Sequence, residues 1–303
     1  MAIATATARP ILIVGSSGQV ARALVECSRR RGVAAVALGR PALDLEKPSG
    51  IGGAVVDLHP SAIVNAAAYT AVDKAESEPE RAFAINRDGA AALARAAAVL
   101  DVPFVHISTD YVYDGAKATP YREDDATRPA GVYGRSKLEG EIAVRAATDK
   151  AIVLRTAWVY SPFGQNFVKT MLRLAGERDR LRVVADQVGS PTSALDIAEA
   201  ILAILGRIDG DWQDRYAGTF HLAGSGEASW CDLARATLEI AAAHGGRAVP
   251  VEAITTADYP TPARRPANSR LDTTRLAETF GVRLPPWRES LETTVARLLA
   301  EPA

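Results

Sequence analysis

Two side chains in VYGRSKLEGE, residues 132–141, have types and a spacing suited to handling a proton. The phenol of Tyr133 and the ammonium of Lys137 are four residues apart, so on a helix both project from one face. A lysine ammonium beside a phenol favours the phenolate and lowers the pKa of the tyrosine from about 10 towards neutral pH. The alternative is a solvated helix face, on which Lys137 pairs with Glu141. The segment alone leaves both interpretations open.

A second group of polar side chains follows a β-branched run in STDYVYDG, residues 108–115. Thr109 carries a hydroxyl and Asp110 a carboxylate at the predicted end of a strand. A hydroxyl at this position can hold a carbonyl group against the phenol of Tyr133 while the phenol delivers a proton. Asp110 also has an ordinary alternative role, because aspartate after a strand often caps the next turn.

The segment GSSGQVA, residues 15–21, lies between a short apolar run and a helical pattern. Gly15 permits a tight turn and Gly18 lets the backbone approach a pyrophosphate, while the N–H groups of the helix N-terminus face the phosphates. The spacing is G-x-x-G-x-x-A, with Ala21 where a third glycine is usual. Its position in a first βα unit favours a dinucleotide over a plain strand–helix turn.

The ends of the next two predicted strands also carry residues that could contact a dinucleotide. Arg40 stands where an NAD-selective site often has an acid, and its guanidinium suits a ribose 2′-phosphate. NADPH is therefore the favoured cofactor, with NADH and a solvated role for Arg40 left open. Asp44 and Leu45 could frame the adenine, although Asp44 equally suits a turn cap. The small side chains of NAAAYT, residues 65–70, would let a flat cofactor lie against the backbone.

Composition indicates a globular protein with a substantial core. The 303 residues are 48% hydrophobic, and their net charge of −1 predicts no affinity for nucleic acid or for an anionic membrane. No apolar run approaches the ~20 residues that span a bilayer. Cys27 and Cys231 lie far apart, and the first ten residues contain one charge, Arg9, and no long apolar run. These features predict a cytoplasmic protein without a signal peptide. The four histidines have no metal-ligand spacing, so we expect no catalytic metal.

Short apolar runs alternate with alanine-rich helical segments over the first half of the chain. This alternation predicts an α/β fold with a doubly wound parallel sheet of Rossmann type. The predicted strands are ILIVG (11–15), AAVALGR (34–40), AIVNAAA (62–68), PFVHISTD (103–110), IVLRTAWVY (152–160) and GTFHLAG (218–224). The predicted helices cover 19–32, 80–100, a segment opened by YGRSK, 165–177, 196–206 and 229–246.

Two domains are expected from the change of pattern after about residue 160. Residues 1–164, with about 190–224, should form the dinucleotide-binding domain. Residues 165–189 and 225–303 should form a smaller C-terminal substrate-binding lobe over the carboxyl edge of the sheet, where such folds bind ligands.

Four motifs in this order resemble the extended short-chain dehydrogenase/reductases: G-x-x-G-x-x-A, NAAAYT, STDYVYDG and Y-x-x-x-K. The resemblance is strongest to members that act on dTDP-linked 4-keto sugars, and it covers about residues 11–275. This closer resemblance rests on the segments VNAAAYTAVDKAESEP, STDYVYDG, RTAWVY, NFVKTMLRLA, DQVGSPT and YPTPARRPANSRLD. The resemblance implies an oxidoreductase that reduces the C4 keto group of dTDP-4-dehydro-L-rhamnose with NAD(P)H to give dTDP-L-rhamnose.

The resemblance also implies a role for each matching residue. Tyr133 would donate a proton to the C4 carbonyl, Lys137 would bind the nicotinamide ribose and tune Tyr133, and Thr109 would complete the triad. The other implied cofactor positions are Gly18, Gln19, Val20, Asp44, Leu45, Ala68, Tyr69 and Thr70. The implied sugar contacts are Asp110 and Trp158, and the residues implied to face the dTDP moiety are Asn166, Phe167, Lys169, Gln187 and Arg265.

Other functions stay open at this point. One is a reductase of another 4-keto nucleotide sugar, and another is a dinucleotide sensor without turnover. A third is a non-catalytic homologue, such as the regulatory subunit of methionine adenosyltransferase. The intact set Thr109, Tyr133 and Lys137 argues against a pure binder, which needs no proton relay. A homodimer is compatible with the family, but Ala23 stands near the place where some members carry an Mg²⁺-binding acid, which argues against Mg²⁺.

Overall fold

A computed structural model describes residues 9–300. The first eight residues of the N-terminal segment MAIATATARP, which was expected not to be a signal peptide, lie outside the described residues. The strands are β1 (Ile11–Val14), β2 (Ala35–Leu38), β3 (Ala62–Asn65), β4 (Phe104–Thr109), β5 (Ala151–Thr156), β6 (Val159–Tyr160), β7 (Leu181–Val184), β8 (Val188–Gly189), β9 (Thr192–Ser193), β10 (Gly218–His221), β11 (Ala228–Ser229), β12 (Val251–Ile254) and β13 (Asn268–Ser269). The α-helices are α1 (Gln19–Arg31), α2 (Ile51–Val56), α3 (Val72–Ala75), α4 (Pro79–Phe83), α5 (Ala90–Val99), α6 (Val132–Ala147), α7 (Phe167–Glu177), α8 (Ala194–Ile208), α9 (Trp230–Ala243), α10 (Thr274–Phe280) and α11 (Trp287–Ala300).

Six strands form the main sheet in the order β2–β1–β3–β4–β5–β10, and every neighbouring pair is parallel. Strands β1, β3 and β5 are buried along their whole length because helices cover both faces of the sheet. The strand order reverses between β1 and β3, which is where open sheets of this kind bind ligands. The prediction of a doubly wound parallel sheet is confirmed.

Helices pack on both faces of this sheet. On one face, α1 and α8 contribute Leu24, Ile197 and Ile201 to a fully buried cluster. On the other face, α2 and α5 contribute Val55 and Leu93 to a second cluster. Both clusters exclude water from the strands, so the polar ends of the strands are held in a fixed arrangement.

The C-terminal part of the chain packs around α7, α9 and α11. Strands β7 and β12 pair there in parallel, and β8 pairs with both β11 and β13. Strand β10 instead extends the main sheet beside β5, as the sequence analysis expected for residues 218–224. The division of the chain into two domains stays a prediction.

Two predicted elements are interrupted. The helix predicted over 80–100 consists of α4, a π-helical segment (Ala84–Gly89) and α5. The prediction of one strand over 152–160 is wrong, because Trp158 has φ +51° and cannot continue an extended strand.

The described residues contain two further features relevant to the cellular setting. No helix within 9–300 is long and apolar enough to cross a membrane. Cys27 and Cys231 are both buried and free, and burial raises the pKa of the Cys27 thiol to about 12.

Helix α6 approaches its neighbours through two glycines. A Cβ atom on Gly134 would lie 2.2 Å from the carbonyl oxygen of Tyr111, and one on Gly140 would lie 2.1 Å from that of Asn86. Both distances are far below van der Waals contact, and the obstructing atoms belong to backbone that cannot rotate away. These positions therefore need glycine.

We predict that Gly140→Ala lowers the free energy of unfolding by about 1–3 kcal/mol, because the added methyl group overpacks the contact between α6 and the π-helical segment. Gly206→Ala in α8 is the control, since no atom lies within 4 Å of its added Cβ. That variant should be more stable by about 0.5–1 kcal/mol, because alanine favours a helix over glycine. Urea unfolding measures both, and equal effects of the two variants would contradict the prediction.

Candidate active site

A cleft of about 850 Å³ lies at the carboxyl edge of the main sheet, beside the N-terminus of α1. Its walls come from the ends of β1, β3, β4 and β5 and from the first turns of α6. The cleft is lined by these residues of the sequence prediction: Gly15, Gly18, Gln19, Val20, Arg40, Asp44, Leu45, Ala68, Thr70, Thr109, Asp110, Tyr133, Lys137 and Trp158. The predicted residues that do not line it are Tyr69, Asn166, Phe167, Lys169, Gln187 and Arg265.

One end of the cleft has the features of a phosphate cradle. Gly15 adopts φ +112°, a conformation that other residues rarely reach, and a Cβ there would meet the Cβ of Ala21 at 3.4 Å. Helix α1 begins after Gly18 without a side-chain cap and has no acidic residue in its first turn. Its free N–H groups and the positive end of its dipole therefore remain available to an anion. This end fits a dinucleotide pyrophosphate.

The side chain of Arg40 is exposed at the rim of the same end of the cleft. It makes no hydrogen bond or ion pair with any residue between 9 and 300, so its guanidinium is available to a ligand phosphate. Asp44 also lines the cleft, and its Oδ1 accepts a hydrogen bond of 3.1 Å from the backbone N–H of Glu46. Asp44 thus makes the turn contact that the sequence analysis gave as an alternative.

Tyr69 lies in the wall behind the cleft instead of lining it. Its hydroxyl donates to Glu78 Oε2 at 2.9 Å, and its backbone N–H donates to Asn86 Oδ1 at 2.8 Å. Asn86 is buried in the π-helical segment, and its Nδ2 also donates to Ser136 Oγ of α6 at 2.9 Å. This asparagine joins the NAAAYT segment to the helix that carries Tyr133. The sequence analysis missed it, because its position depends on an extra residue in one helical turn.

The other end of the cleft contains Thr109, Asp110 and Tyr133. The hydroxyl of Thr109 donates to Asp110 Oδ1 at 3.0 Å and also lies within hydrogen-bonding reach of the Tyr133 phenol. Burial raises the pKa of Tyr133 above its ordinary value, and the Thr109 contact opposes this shift. Thr109 stands opposite Thr156 in the β4–β5 pairing, which explains how these groups meet at one edge.

Lys137 is 2% exposed, and its Nζ donates to the carbonyl oxygen of Ile107 at 2.7 Å. The same atom lies 3.4 Å from His106 Nε2. Burial lowers the pKa of Lys137 to about 8, and the charge of Glu141 opposes this shift. The ammonium group is thus directed to strand β4, and the lowering of the Tyr133 pKa that was expected from Lys137 is not seen in this structure.

Two buried oxygens beside the cleft have no hydrogen-bond partner among residues 9–300: Asp110 Oδ2 and Thr156 Oγ1. Burial raises the pKa of Asp110 to about 6, and the side chains of Ser269 and Thr109 act in the opposite direction. Thr156 was not predicted as a site residue, because only the pairing of β4 with β5 brings it beside Thr109. Unpartnered buried oxygens of this kind are uncommon in folded proteins.

Trp158 forms part of the cleft wall in a left-handed backbone conformation, with φ +51°. Its ring stacks on that of Trp230 with 3.7 Å between centroids and 10° between planes. A Cβ on Gly189 would lie 2.4 Å from the Trp158 ring, so the glycine leaves room for the indole. Phe167 and Gln187 contact Trp230, by a ring contact of 4.7 Å and by a hydrogen bond of 3.2 Å. Trp230 was missed, because nothing in the sequence links it to Trp158.

The remaining predicted substrate residues lie near the cleft and make contacts within the protein. Asn166 caps α7 by accepting a hydrogen bond of 3.2 Å from the backbone N–H of Lys169, and its Nδ2 donates to Gln19 Oε1 at 3.1 Å. Arg265 forms an ion pair of 2.7 Å with Asp73 and donates to the hydroxyl of Tyr111 at 3.0 Å. Their proposed contacts with a dTDP moiety stay predictions.

Residues 9–300 contain no group of three or more histidine, cysteine, aspartate or glutamate side chains that could hold a metal ion. Residues 9–300 match the protein family described as the RmlD substrate binding domain.

The chain is also similar to individual curated and solved proteins. It is 54% identical to a dTDP-4-dehydrorhamnose reductase of Sinorhizobium fredii, over 96% of this chain and 98% of that protein. Among solved structures, a dTDP-4-dehydrorhamnose reductase of Clostridium acetobutylicum has a TM-score of 0.88 at 37% identity, covering 95% of this chain and 99% of that one. A dTDP-4-dehydrorhamnose reductase of Bacillus anthracis, solved in complex with NADP, has a TM-score of 0.89 at 33% identity, covering 96% and 100%.

The family match spans all of the described residues, and the relative from Sinorhizobium fredii is 54% identical over 98% of its own length. The chain therefore belongs to the RmlD substrate binding domain family, that of the dTDP-4-dehydrorhamnose reductases.

Proposed function

We propose that this protein reduces the C4 keto group of dTDP-4-dehydro-L-rhamnose with NADPH to give dTDP-L-rhamnose. The observation that carries the proposal is the meeting of Thr109, Tyr133 and Lys137 in one cleft whose other end is the glycine-rich turn. The relative from Sinorhizobium fredii, at 54% identity, is named for this reductase activity. The non-catalytic alternative is not favoured, because a pure binding protein needs no proton donor in its cleft.

Tyr133 acts as the proton donor in this proposal. When bound, the nicotinamide supplies a hydride for the carbonyl carbon. The raised pKa of Tyr133 keeps the phenol protonated at neutral pH, which suits a group that must deliver its proton to the carbonyl oxygen. The Thr109 hydroxyl lies within reach of that phenol and orients the same oxygen. The surroundings are buried, so the hydrogen bonds from Tyr133 and Thr109 to the carbonyl oxygen are stronger than they would be in water.

Lys137 holds the cofactor ribose at the floor of the cleft. Its Nζ donates one hydrogen bond to the carbonyl oxygen of Ile107, which leaves further donors for a ribose hydroxyl. The backbone contact also prevents the ammonium group from swinging out of the site. Lys137 and Tyr133 thus act on different parts of the reacting complex from one helix face.

Arg40 supports the choice of NADPH. Its guanidinium is exposed beside the cleft and unpaired within residues 9–300, and a planar fork of this kind suits the 2′-phosphate that distinguishes NADPH from NADH. The Bacillus anthracis relative was solved with NADP. We infer the same preference here.

Several finer features belong to the same proposal. The lobe formed by residues 165–189 and 225–303 would hold the nucleotide sugar, with Asp110 and Trp158 against the sugar ring. Asn166, Phe167, Lys169, Gln187 and Arg265 would shape the dTDP end through the contacts described above. A homodimer and a cytoplasmic location stay predictions, as does the absence of Mg²⁺.

Tyr133→Phe should lower kcat by about 10²- to 10⁴-fold, because the ring remains and the donated proton is lost. The Kd for NADPH, measured by the change in cofactor fluorescence, should change by less than about threefold. Tyr216→Phe is the matched control, since that hydroxyl is buried outside the cleft and has one weak contact of 3.5 Å to Arg215. A Tyr133→Phe enzyme with nearly normal kcat would contradict the role of proton donor.

Arg40→Ala should raise the KM for NADPH by about 10- to 100-fold and leave that for NADH nearly unchanged, because a hydrogen bond to a charged group contributes about 1.5–3 kcal/mol. Arg29→Ala, which removes an exposed arginine from the last turn of α1, is the control for a general loss of positive charge. Steady-state kinetics with both cofactors measures the ratio. An unchanged preference for NADPH would remove Arg40 from cofactor selection.

A further inference from the structure

Glu141 is a buried acid on the helix face that carries the proposed catalytic pair. It lies four residues after Lys137 and eight after Tyr133, so the three side chains follow one face of α6. Its side chain is 3% exposed, so the solvated helix face considered in the sequence analysis is wrong for this residue. Glu139, on the same helix, does lie at the surface and pairs with Arg87 at 3.0 Å.

The carboxylate of Glu141 is held by two strands of the main sheet. Arg155 of β5 donates from Nε to Oε1 at 3.0 Å and from Nη2 to Oε2 at 2.6 Å, in the forked geometry typical of guanidinium and carboxylate. The hydroxyl of Ser108 in β4 also donates to Oε1. Ser108 immediately precedes Thr109 and itself lines the cleft. The carboxylate therefore ties α6 to the two strands that end in the site.

Arg155 has a further partner that completes the buried network. Its Nη1 donates to the hydroxyl of Tyr113 at 2.6 Å, and that hydroxyl lies 2.8 Å from His221 Nε2. The Tyr113 hydroxyl donates to the carbonyl oxygen of Arg122 at 2.9 Å, and His221 Nδ1 lies 3.0 Å from the carbonyl oxygen of Asp272. Burial lowers the pKa of His221 to about 3, so the ring is neutral and adds no charge. Glu141 is thus the ion-pair partner of the Arg155 guanidinium.

The effect of the Glu141 charge on Lys137 depends on the other groups that surround Lys137. His106 of β4 lies at 3.4 Å and is kept neutral, because burial lowers its pKa well below the ordinary value. The carbonyl oxygen of Ile107 accepts a hydrogen bond from the ammonium, and Tyr133 one turn earlier is uncharged. Glu141 is the one anion acting on Lys137 within the described residues, and its charge favours the ammonium form against the effect of burial.

We propose that Glu141, held by Arg155 and Ser108, is a positioning residue that fixes α6 against β4 and β5 and places a carboxylate one turn after Lys137 on the same buried helix face. Arg155 of β5 holds the carboxylate in place. The carboxylate in turn holds α6 in place one turn after Lys137. A hydrophobic residue pair of the same volume could hold the helix but could not stabilise the ammonium. The inference deepens the proposed function, because Lys137 must be charged to hold the cofactor ribose as proposed.

The test is a direct titration of Lys137 by NMR in the full-length protein. The chain has six lysines, so ¹³C labelling at lysine Cε gives a small set of signals, and Lys137→Met identifies the relevant one. The test variant is Glu141→Gln, because it removes the negative charge alone and keeps an amide oxygen that can accept a hydrogen bond from Arg155. Glu139→Gln is the control, as it removes an exposed acid from the same helix.

In Glu141→Gln the titration midpoint of Lys137 should fall by about one pH unit, and the alkaline limb of kcat/KM should move to lower pH by the same amount. Glu139→Gln should leave both where they are in the wild type. A folded Glu141→Gln variant with an unchanged Lys137 midpoint would overturn the proposal, and so would an equal shift in Glu139→Gln.

Glu141→Asp keeps the charge and serves if Glu141→Gln does not fold. Its Lys137 midpoint should stay within about 0.3 pH units of wild type while kcat falls, because the shorter side chain moves the helix but not the charge. A fall in the midpoint as large as one unit in this variant would also overturn the proposal. The NMR titration does not require turnover. A wild-type protein that reduces no 4-keto nucleotide sugar would therefore refute the proposed function and leave this test intact.

Discussion

The close approach of helix α6 to the carboxyl edge of the parallel sheet is the constraint on which the candidate site depends. Gly134 and Gly140 allow that approach, since a Cβ at either position would overlap a backbone carbonyl oxygen. The buried pair of Glu141 and Arg155 then sets the helix against β4 and β5. Tyr133 and Lys137 are on the same helix, so the contacts that pack the helix also position these two side chains.

The sheet supplies the second half of the arrangement. Parallel pairing places the ends of β1, β3, β4 and β5 at one edge, so the glycine-rich turn and Thr109 open into one cleft although they are far apart in sequence. The reversal of strand order between β1 and β3 leaves a crevice there. The cofactor end needs free backbone N–H groups, and the chemical end needs buried side chains with shifted pKa values. Both requirements are met along a single edge.

The main sheet and the cofactor end follow from local patterns, which is why the sequence predicts them well. Apolar runs define β1 to β5 and β10, and the glycine spacing after β1 identifies the turn that faces the cleft. Contacts between residues distant in the chain determine the roles of Asn86 and Trp230 and the burial of Glu141. No local sequence pattern indicates such contacts. The break at Trp158 is similar, since the ring of Trp158 stacks on Trp230 and lies against Gly189, which are both distant in the chain. For the same reason, Phe167 and Gln187 support an aromatic wall instead of lining the cleft.

The central claim is that hydride and proton reach one carbonyl group in this cleft. Its most direct test is to incubate the protein with dTDP-4-dehydro-L-rhamnose and NADPH carrying deuterium at nicotinamide C4, using separately each of the two stereospecifically labelled forms. One of the two forms should give dTDP-L-rhamnose with a single deuterium at sugar C4, detected by mass spectrometry and located by NMR, and the other form should give unlabelled product. Sugar C4 that acquires hydrogen from solvent with both forms, or NADPH that is bound and never oxidised, would contradict the account.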